Sequence, residues 1–256
     1  MKKLNIVIVS AMEEEVGSIS ENLIKKKFFN FGDLSITQGL WEYNSELGIE
    51  LNIFLAFSGW GKVSSSRAIS RILGIQRLSE KIDFVIFTGV AGAASNDLKQ
   101  WDVIISESII QYDMDASPLF DKFVIPALNN AKLIPNNKLF DYIFKSLSNA
   151  KEKGVLNHFG KIKSGLIGTG DRFISNKDDL ERIKLLLPEI KAVEMEGGAV
   201  AQVCEQERIP WVIIRTISDN ADEDAPESFA NFLEKYKQIS TKLLIEIFKN
   251  LNEIKL

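Results

Sequence analysis

The chain has 256 residues, 45% of them hydrophobic, 26% charged and 9% aromatic, and its 31 Lys and Arg against 35 Asp and Glu leave a formal net charge of −4. That composition belongs to a folded globular chain with room for one sizeable α/β core, and it excludes disorder as the main state. The cations are scattered rather than gathered, so no basic face is offered to a nucleic-acid backbone or a membrane surface, and neither partner is expected.

Met1-Lys2-Lys3 precedes an apolar run, Leu4 to Val9, that is too short for a signal peptide, and Glu13-Glu14-Glu15 stands where a cleavage site would be. No stretch approaches the roughly 18 apolar residues of a spanning helix, so a cytoplasmic location is expected. β-branched runs predict strands over Leu4 to Ser10, Leu34 to Leu40, Leu51 to Phe57, Phe84 to Thr88, Val103 to Ile110, Lys163 to Ile167 and Trp211 to Ile217. Between them, helical spacing predicts helices near Met12 to Lys26, Lys62 to Leu78, Asn136 to Ala150, Asp178 to Leu187, Met195 to Glu207 and Pro226 to Asn250. The alternation argues for an α/β sheet covered by helices, with residues 1–256 forming a single domain. Phe84 to Phe87 and Trp211 to Ile214 are apolar throughout, as strands buried on both faces are. Residues 113–137 are the least regular stretch and hold Pro118, Pro126 and Pro135, which suits a lid or a subunit contact.

Five short motifs stand out, four at or near the end of a predicted strand and one, Val193-Glu194-Met195-Glu196, running into a predicted helix. Ser10-Ala11-Met12-Glu13-Glu14-Glu15 reads as a capping box of Ser10 with Glu13, yet three successive glutamates point about 100° apart, so one can face a cleft at the strand's carboxyl end. Phe57-Ser58-Gly59-Trp60-Gly61-Lys62 is neither a Walker A loop nor a full dinucleotide fingerprint. Thr88-Gly89-Val90-Ala91-Gly92-Ala93 suits either a plain turn or a ligand lying against backbone amides. Val193-Glu194-Met195-Glu196 sets two carboxylates in apolar surroundings, a pattern better suited to binding a polyol or cation than to a core. Arg215-Thr216-Ile217-Ser218-Asp219 offers either an Arg215–Asp219 ion pair or a buried carboxyl placed to act as an acid. The lone cysteine, Cys204, reads as packing and the lone histidine, His158, as a loop residue, so neither a cysteine nor a multi-histidine metal site is expected.

In this order and spacing the motifs resemble those of the 5′-methylthioadenosine/S-adenosylhomocysteine nucleosidases, from Leu4 to about Leu233. The resemblance implies a single nucleoside phosphorylase-like α/β domain with a twisted mixed central sheet, a homodimer, no cofactor and a nucleoside substrate. It also implies roles: Asp219 as the acid that protonates adenine at N7, oriented by Ser218, and Glu15 as the carboxylate that activates water, the two dividing labour as in glycoside hydrolysis. Glu196 resembles the partner of the ribose hydroxyls, with Met195 against the sugar, Glu194 beside it and Arg215 supporting the acidic cluster. Phe173 and Ile174 would hold the purine, Ala11 and the turn Val90-Ala91-Gly92 would line the site, and Phe229 would lie beside adenine. Trp60 falls where the family lines the 5′ pocket, and Leu119 and Phe120 would close the pocket of the neighbouring subunit. Val90 stands where many members carry Ser, Trp60 is bulkier than usual, and residues 113–120 differ from the commonest version; these departures bear on the 5′-substituent. The same motifs also suit a purine nucleoside phosphorylase, a futalosine-type nucleosidase or, in another class, a nucleoside-binding protein without turnover.

Overall fold

The computed structural model describes residues 2–43, 48–76, 81–222 and 224–254. Its strands are β1 (Lys2–Ser10), β2 (Leu23–Phe31), β3 (Leu34–Trp41), β4 (Ile49–Phe57), β5 (Phe84–Ala93), β6 (Val103–Gln111), β7 (Lys132–Leu133), β8 (Ile162–Thr169), β9 (Ile190–Glu194) and β10 (Trp211–Asp219). Its helices are α1 (Lys62–Gln76), α2 (Asn137–Glu152), α3 (Lys177–Leu186), α4 (Gly197–Glu207), α5 (Ala225–Tyr236) and α6 (Thr241–Phe248). The strands form one mixed sheet in the order β10-β6-β8-β9-β5-β1-β4-β3-β2, with β7 on β6. Because β10 also pairs with β5, the strands β5, β9, β8, β6 and β10 close into a ring, and β1, β4, β3 and β2 continue from it as an open wing.

Side chains alternate across a strand, and here the alternation sorts the core into two layers. Ile6 and Ile8 of β1 and Phe84 and Ile86 of β5 pack with Leu139, Ile143 and Leu147 of α2 and with Phe232 and Leu243 of α5 and α6. Val7, Val9, Val85 and Phe87 point the other way, onto Ala68, Ile69 and Ile72 of α1 and Val200 and Cys204 of α4. Cys204 is thus a packing residue, and His158 lies exposed in a turn. Among the described residues no helix is long and apolar enough to cross a membrane.

All seven expected strands form, several with longer bounds. The expected helix over Lys62 to Leu78 forms as far as Gln76, and residues 77 and 78 lie outside the described residues. Two other expectations fail. Met12 to Lys26 is not a helix but two 3-10 segments, Glu13–Glu15 and Gly17–Asn22, leading into β2. Gly17 has φ +54°, and a Cβ there would come within 2.6 Å of the Lys237 carbonyl and 2.7 Å of Thr241 Oγ1, so the backbone must turn where a helix would run straight. β2 then follows because it pairs with β3 across the two-residue turn Gly32-Asp33, a hairpin pairing that overrides helical spacing. The expected helix from Pro226 to Asn250 is likewise two helices, parted at residues 237–240, where Ser240 Oγ donates to the Glu14 carbonyl and Thr241 Oγ1 to the Val16 carbonyl. β2 ends the wing, and its register shifts between Ile24 and Lys27, with Lys25 in the left-handed region at φ +53°.

Candidate active site

β1, β5 and β10 run parallel, and at their carboxyl ends, where open α/β sheets take ligands, lies a cleft of about 550 Å3. The 3-10 turn after β1 carries Glu15 inward, and the residue is 2% exposed. Its Oε2 accepts the amides of Ala11 at 2.7 Å and Met12 at 3.0 Å, and its Oε1 accepts the amide of Val90 at 3.1 Å. Ser10 Oγ donates instead to the Met12 carbonyl, so the carboxylate that reaches back to the turn is Glu15, and the expected box of Ser10 with Glu13 does not form. Glu13 is exposed. The glycine at position 89 now has a reason: a Cβ on it would overlap the Glu15 carboxylate and the Arg215 guanidinium.

Arg215 comes from the middle of β10 and is wholly buried, with its guanidinium 4.5 Å from the Phe87 ring. Its Nη2 meets Glu194 Oε2 and stands 3.3 Å from Glu196 Oε2, and its Nη1 is 3.9 Å from Glu15 Oε1. Three carboxylates therefore share one guanidinium. The alternative Arg215–Asp219 ion pair does not form, because four residues along a strand separate the two positions by about 13 Å. Glu194 is the most fully engaged of the three: Thr169 Oγ1 bonds its Oε1, and the amides of Glu196 at 3.1 Å and Gly197 at 2.7 Å donate to its Oε2 at the start of α4. Glu196 Oε1 accepts the amide of Gly61 at 2.9 Å.

Asp219 closes the other end of the cleft and is 5% exposed. The Ala221 amide donates to its Oδ1 at 2.8 Å, and Ser218 Oγ lies 2.6 Å from its Oδ2 and 3.3 Å from the Ala91 carbonyl. A hydroxyl has one proton to give, so Ser218 can donate to an ionised Asp219 or, once Asp219 is protonated, turn to the carbonyl. The wall between the two ends is aromatic. Phe229 of α5 meets Trp60 edge-on at 6.1 Å and Phe173 edge-on at 5.8 Å between ring centres. Ile174, Met195, Ala91 and Gly92 also face the cleft.

Of the residues singled out in the sequence, the cleft gathers all but three. Arg215 lies behind its floor, while Leu119 and Phe120 are exposed and outside it, with Leu119 at 85%. Met12, Arg172 and Val193 also line the cleft and were not anticipated, although each lies beside or within a motif that was. Arg172, exposed at the mouth, pairs with the buried carboxylate of Asp179.

Burial holds the carboxyls of Glu15 and Asp219 above their usual range, against the opposing pull of Arg215 on Glu15 and of the Ser218 and Ala221 hydrogen bonds on Asp219. Burial also pushes Glu196 up to about 8, helped by the neighbouring Glu194 and opposed by Arg215. Arg215 stays charged: burial works against the charge, but the three carboxylates outweigh it. The linkage has a definite sign. Folded Glu196 keeps a proton that the unfolded chain releases near 4.5, so its contribution favours folding at low pH and is lost as pH rises from about 4.5 to about 8. In urea unfolding, Glu196→Gln should flatten the fall of stability across that window by up to about 1.4 kcal/mol per pH unit. A slope unchanged by the substitution would show that Glu196 is ionised throughout.

Comparison with known proteins adds an independent line. Residues 5–249 match the phosphorylase superfamily. A 5′-methylthioadenosine/S-adenosylhomocysteine nucleosidase of Bacillus subtilis is 32% identical over 97% of this chain and 100% of its own length. An aminodeoxyfutalosine nucleosidase of Helicobacter pylori is 36% identical over 93% of this chain and 95% of its own. The solved 5′-methylthioadenosine/S-adenosylhomocysteine nucleosidase of Neisseria meningitidis, in complex with methylthio-immucillin-A, superposes with a TM-score of 0.83 at 32% identity, covering 96% of this chain and 99% of that one.

Proposed function

This chain belongs to the phosphorylase superfamily, and within it we propose a hydrolase that cleaves the N-glycosidic bond of 5′-methylthioadenosine and S-adenosylhomocysteine, releasing adenine and the 5′-thioribose. One observation carries the choice of hydrolysis over phosphorolysis. The backbone amides of Ala11, Met12 and Val90 are already taken by the Glu15 carboxylate, and Glu194 and Glu196 stand around the same guanidinium. A phosphate dianion needs free amides or cations, whereas a water molecule needs a base.

In this reading the bond from C1′ to N9 breaks as Asp219 gives its proton to N7, so the purine departs neutral. The ribosyl carbon gathers positive charge beside the acidic cluster, which stabilises it. Water held by Glu15, whose carboxylate Arg215 supports from behind, attacks C1′ and gives up a proton to Glu15, and Glu196 holds the ribose hydroxyls. Glu194 keeps Arg215 in place, Phe173 and Phe229 pack on adenine, Ile174 offers backbone hydrogen bonds, and Trp60 lines the path of the 5′-substituent. By the same resemblance the protein is a cytoplasmic homodimer in which Leu119 and Phe120 of one subunit close the 5′ pocket of the other. The relative from Helicobacter pylori supports a second reading, in which the favoured 5′-substituent is that of an aminodeoxyfutalosine.

Adenine release measured with 5′-methylthioadenosine, S-adenosylhomocysteine and an aminodeoxyfutalosine, with and without phosphate, tests both readings. Release that is independent of phosphate is expected, and an absolute phosphate requirement would overturn the hydrolase. The substrate with the highest kcat/KM decides between the two 5′-substituents. Glu15→Gln should lower kcat by roughly 100- to 10,000-fold, because a carboxamide cannot accept the water's proton. A variant with near-normal turnover would reduce Glu15 to a structural cap.

A further inference from the structure

Glu196 is held from two sides. Arg215 grips Oε2 from beneath, and the Gly61 amide grips Oε1 from the turn that carries Trp60. Gly59 and Gly61 in that turn both lie at positive φ, +77° and +90°; the Gly59 amide donates to the Ala11 carbonyl at 3.0 Å and the Ser65 amide to the Gly61 carbonyl at 3.1 Å. A further set of contacts holds it from outside. Asp171 Oδ1 accepts the Lys62 amide at 2.8 Å, one peptide beyond the amide that binds Glu196. Asp113 completes the arrangement: its Oδ1 takes Lys62 Nζ at 2.7 Å and its Oδ2 takes the Asp171 amide at 2.9 Å. Three segments distant in sequence, at 61–62, 113 and 171, are thereby clamped together at the rim of the cleft. A Cβ on Gly61 would come within 3.0 Å of Asp171 Oδ1 and would sit on a backbone at φ +90°, so both the clamp and the backbone favour glycine there.

We propose that Asp171, Lys62 and Asp113 are positioning residues for Glu196, acting through the Gly61 amide to hold its carboxylate where the ribose hydroxyls of a nucleoside meet it. The proposal rests on the nucleosidase reading above. None of the three side chains lines the cleft, so their effect reaches the substrate through the segments they hold, and the Gly61 amide on Glu196 is the direct link. The Gly61 hydrogen bond opposes the upward shift of the Glu196 carboxyl, which is consistent with its stabilising the ionised, hydroxyl-accepting form. Lys62 and Asp113 are partly solvent-exposed, and exposed ion pairs contribute little to stability, so the variants are expected to fold.

The test compares Asp171→Ala, Lys62→Met and Lys62→Arg with the unaltered protein on 5′-methylthioadenosine and on its 2′,3′-dideoxy analogue, with adenine binding measured separately. Asp171→Ala and Lys62→Met should lower kcat/KM for 5′-methylthioadenosine by about 10- to 100-fold, the scale on which a small misplacement of a binding group acts. The dideoxy analogue should change little, because it offers no hydroxyls to misplace. Adenine affinity should hold, and Lys62→Arg, which restores a cation to Asp113, should recover most of the loss. Equal losses on both substrates, or none on either, would overturn the proposal. Failure of the unaltered protein to release adenine from 5′-methylthioadenosine would overturn the nucleosidase reading itself, a result seen before any variant is made.

Discussion

Asp219→Asn is expected to lower kcat/KM for adenine release by about 100- to 10,000-fold, the range in which a general acid contributes. The carboxamide is nearly isosteric and can still receive the Ala221 amide, but it has no proton to transfer to the purine. Adenine affinity, followed by calorimetry, should survive, because Asn resembles the protonated acid in shape and charge. The pH profile gives an independent check. Burial raises the Asp219 carboxyl above its usual range, so the acid form persists at higher pH than in a free aspartate, and the rate should fall as pH rises through that raised value. Near-normal turnover by Asp219→Asn would assign the proton to another group.

Arg215→Met is expected to cost about 3–5 kcal/mol of stability at neutral pH, because it leaves buried carboxylates without their counter-charge. Glu15, Glu194 and Glu196 all lose a partner at once. The loss should shrink on acidification, since a protonated carboxyl needs no cation, and urea unfolding at two pH values would reveal the difference. An equal loss at both would mean that Arg215 serves by filling volume over the Phe87 ring rather than by charge.

Much of this architecture is legible in the residues because strands and turns advertise themselves locally. The runs Phe84 to Phe87 and Trp211 to Ile214 are apolar on both faces, and they are buried in the closed part of the sheet. The motifs that follow predicted strands converge because parallel strands bring their carboxyl ends to one side. What the sequence conceals is long-range. Nothing near Ser240 announces the carbonyls of Glu14 and Val16 that break the helix there; β2 is the exception, its hairpin being marked locally by Gly32-Asp33 but masked by the helical spacing that precedes it. In the cleft, the spacing of Arg215 and Asp219 permits an ion pair on paper, yet only the folded strand shows the arginine turned to three glutamates supplied by other elements. Arg172 escaped notice because exposed arginines are common, and its place at the mouth depends on Asp179, seven residues further on.

The wing that leaves the closed strands ends in β2, and an edge strand is a template on which another chain can add. Lys25, Lys26 and Lys27 run consecutively along it and are exposed, beside Phe28 at 63% exposure. The register shift and the left-handed Lys25 interrupt the regular spacing of free amides and carbonyls just there, and three ammonium groups repel the same three on a second copy. Closure removes the edges at one end of the sheet, and charge with irregularity blunts the other. A chain that carries the apolar pair Ile24 and Phe28 on an open margin is thus kept from growing into a continuous aggregate.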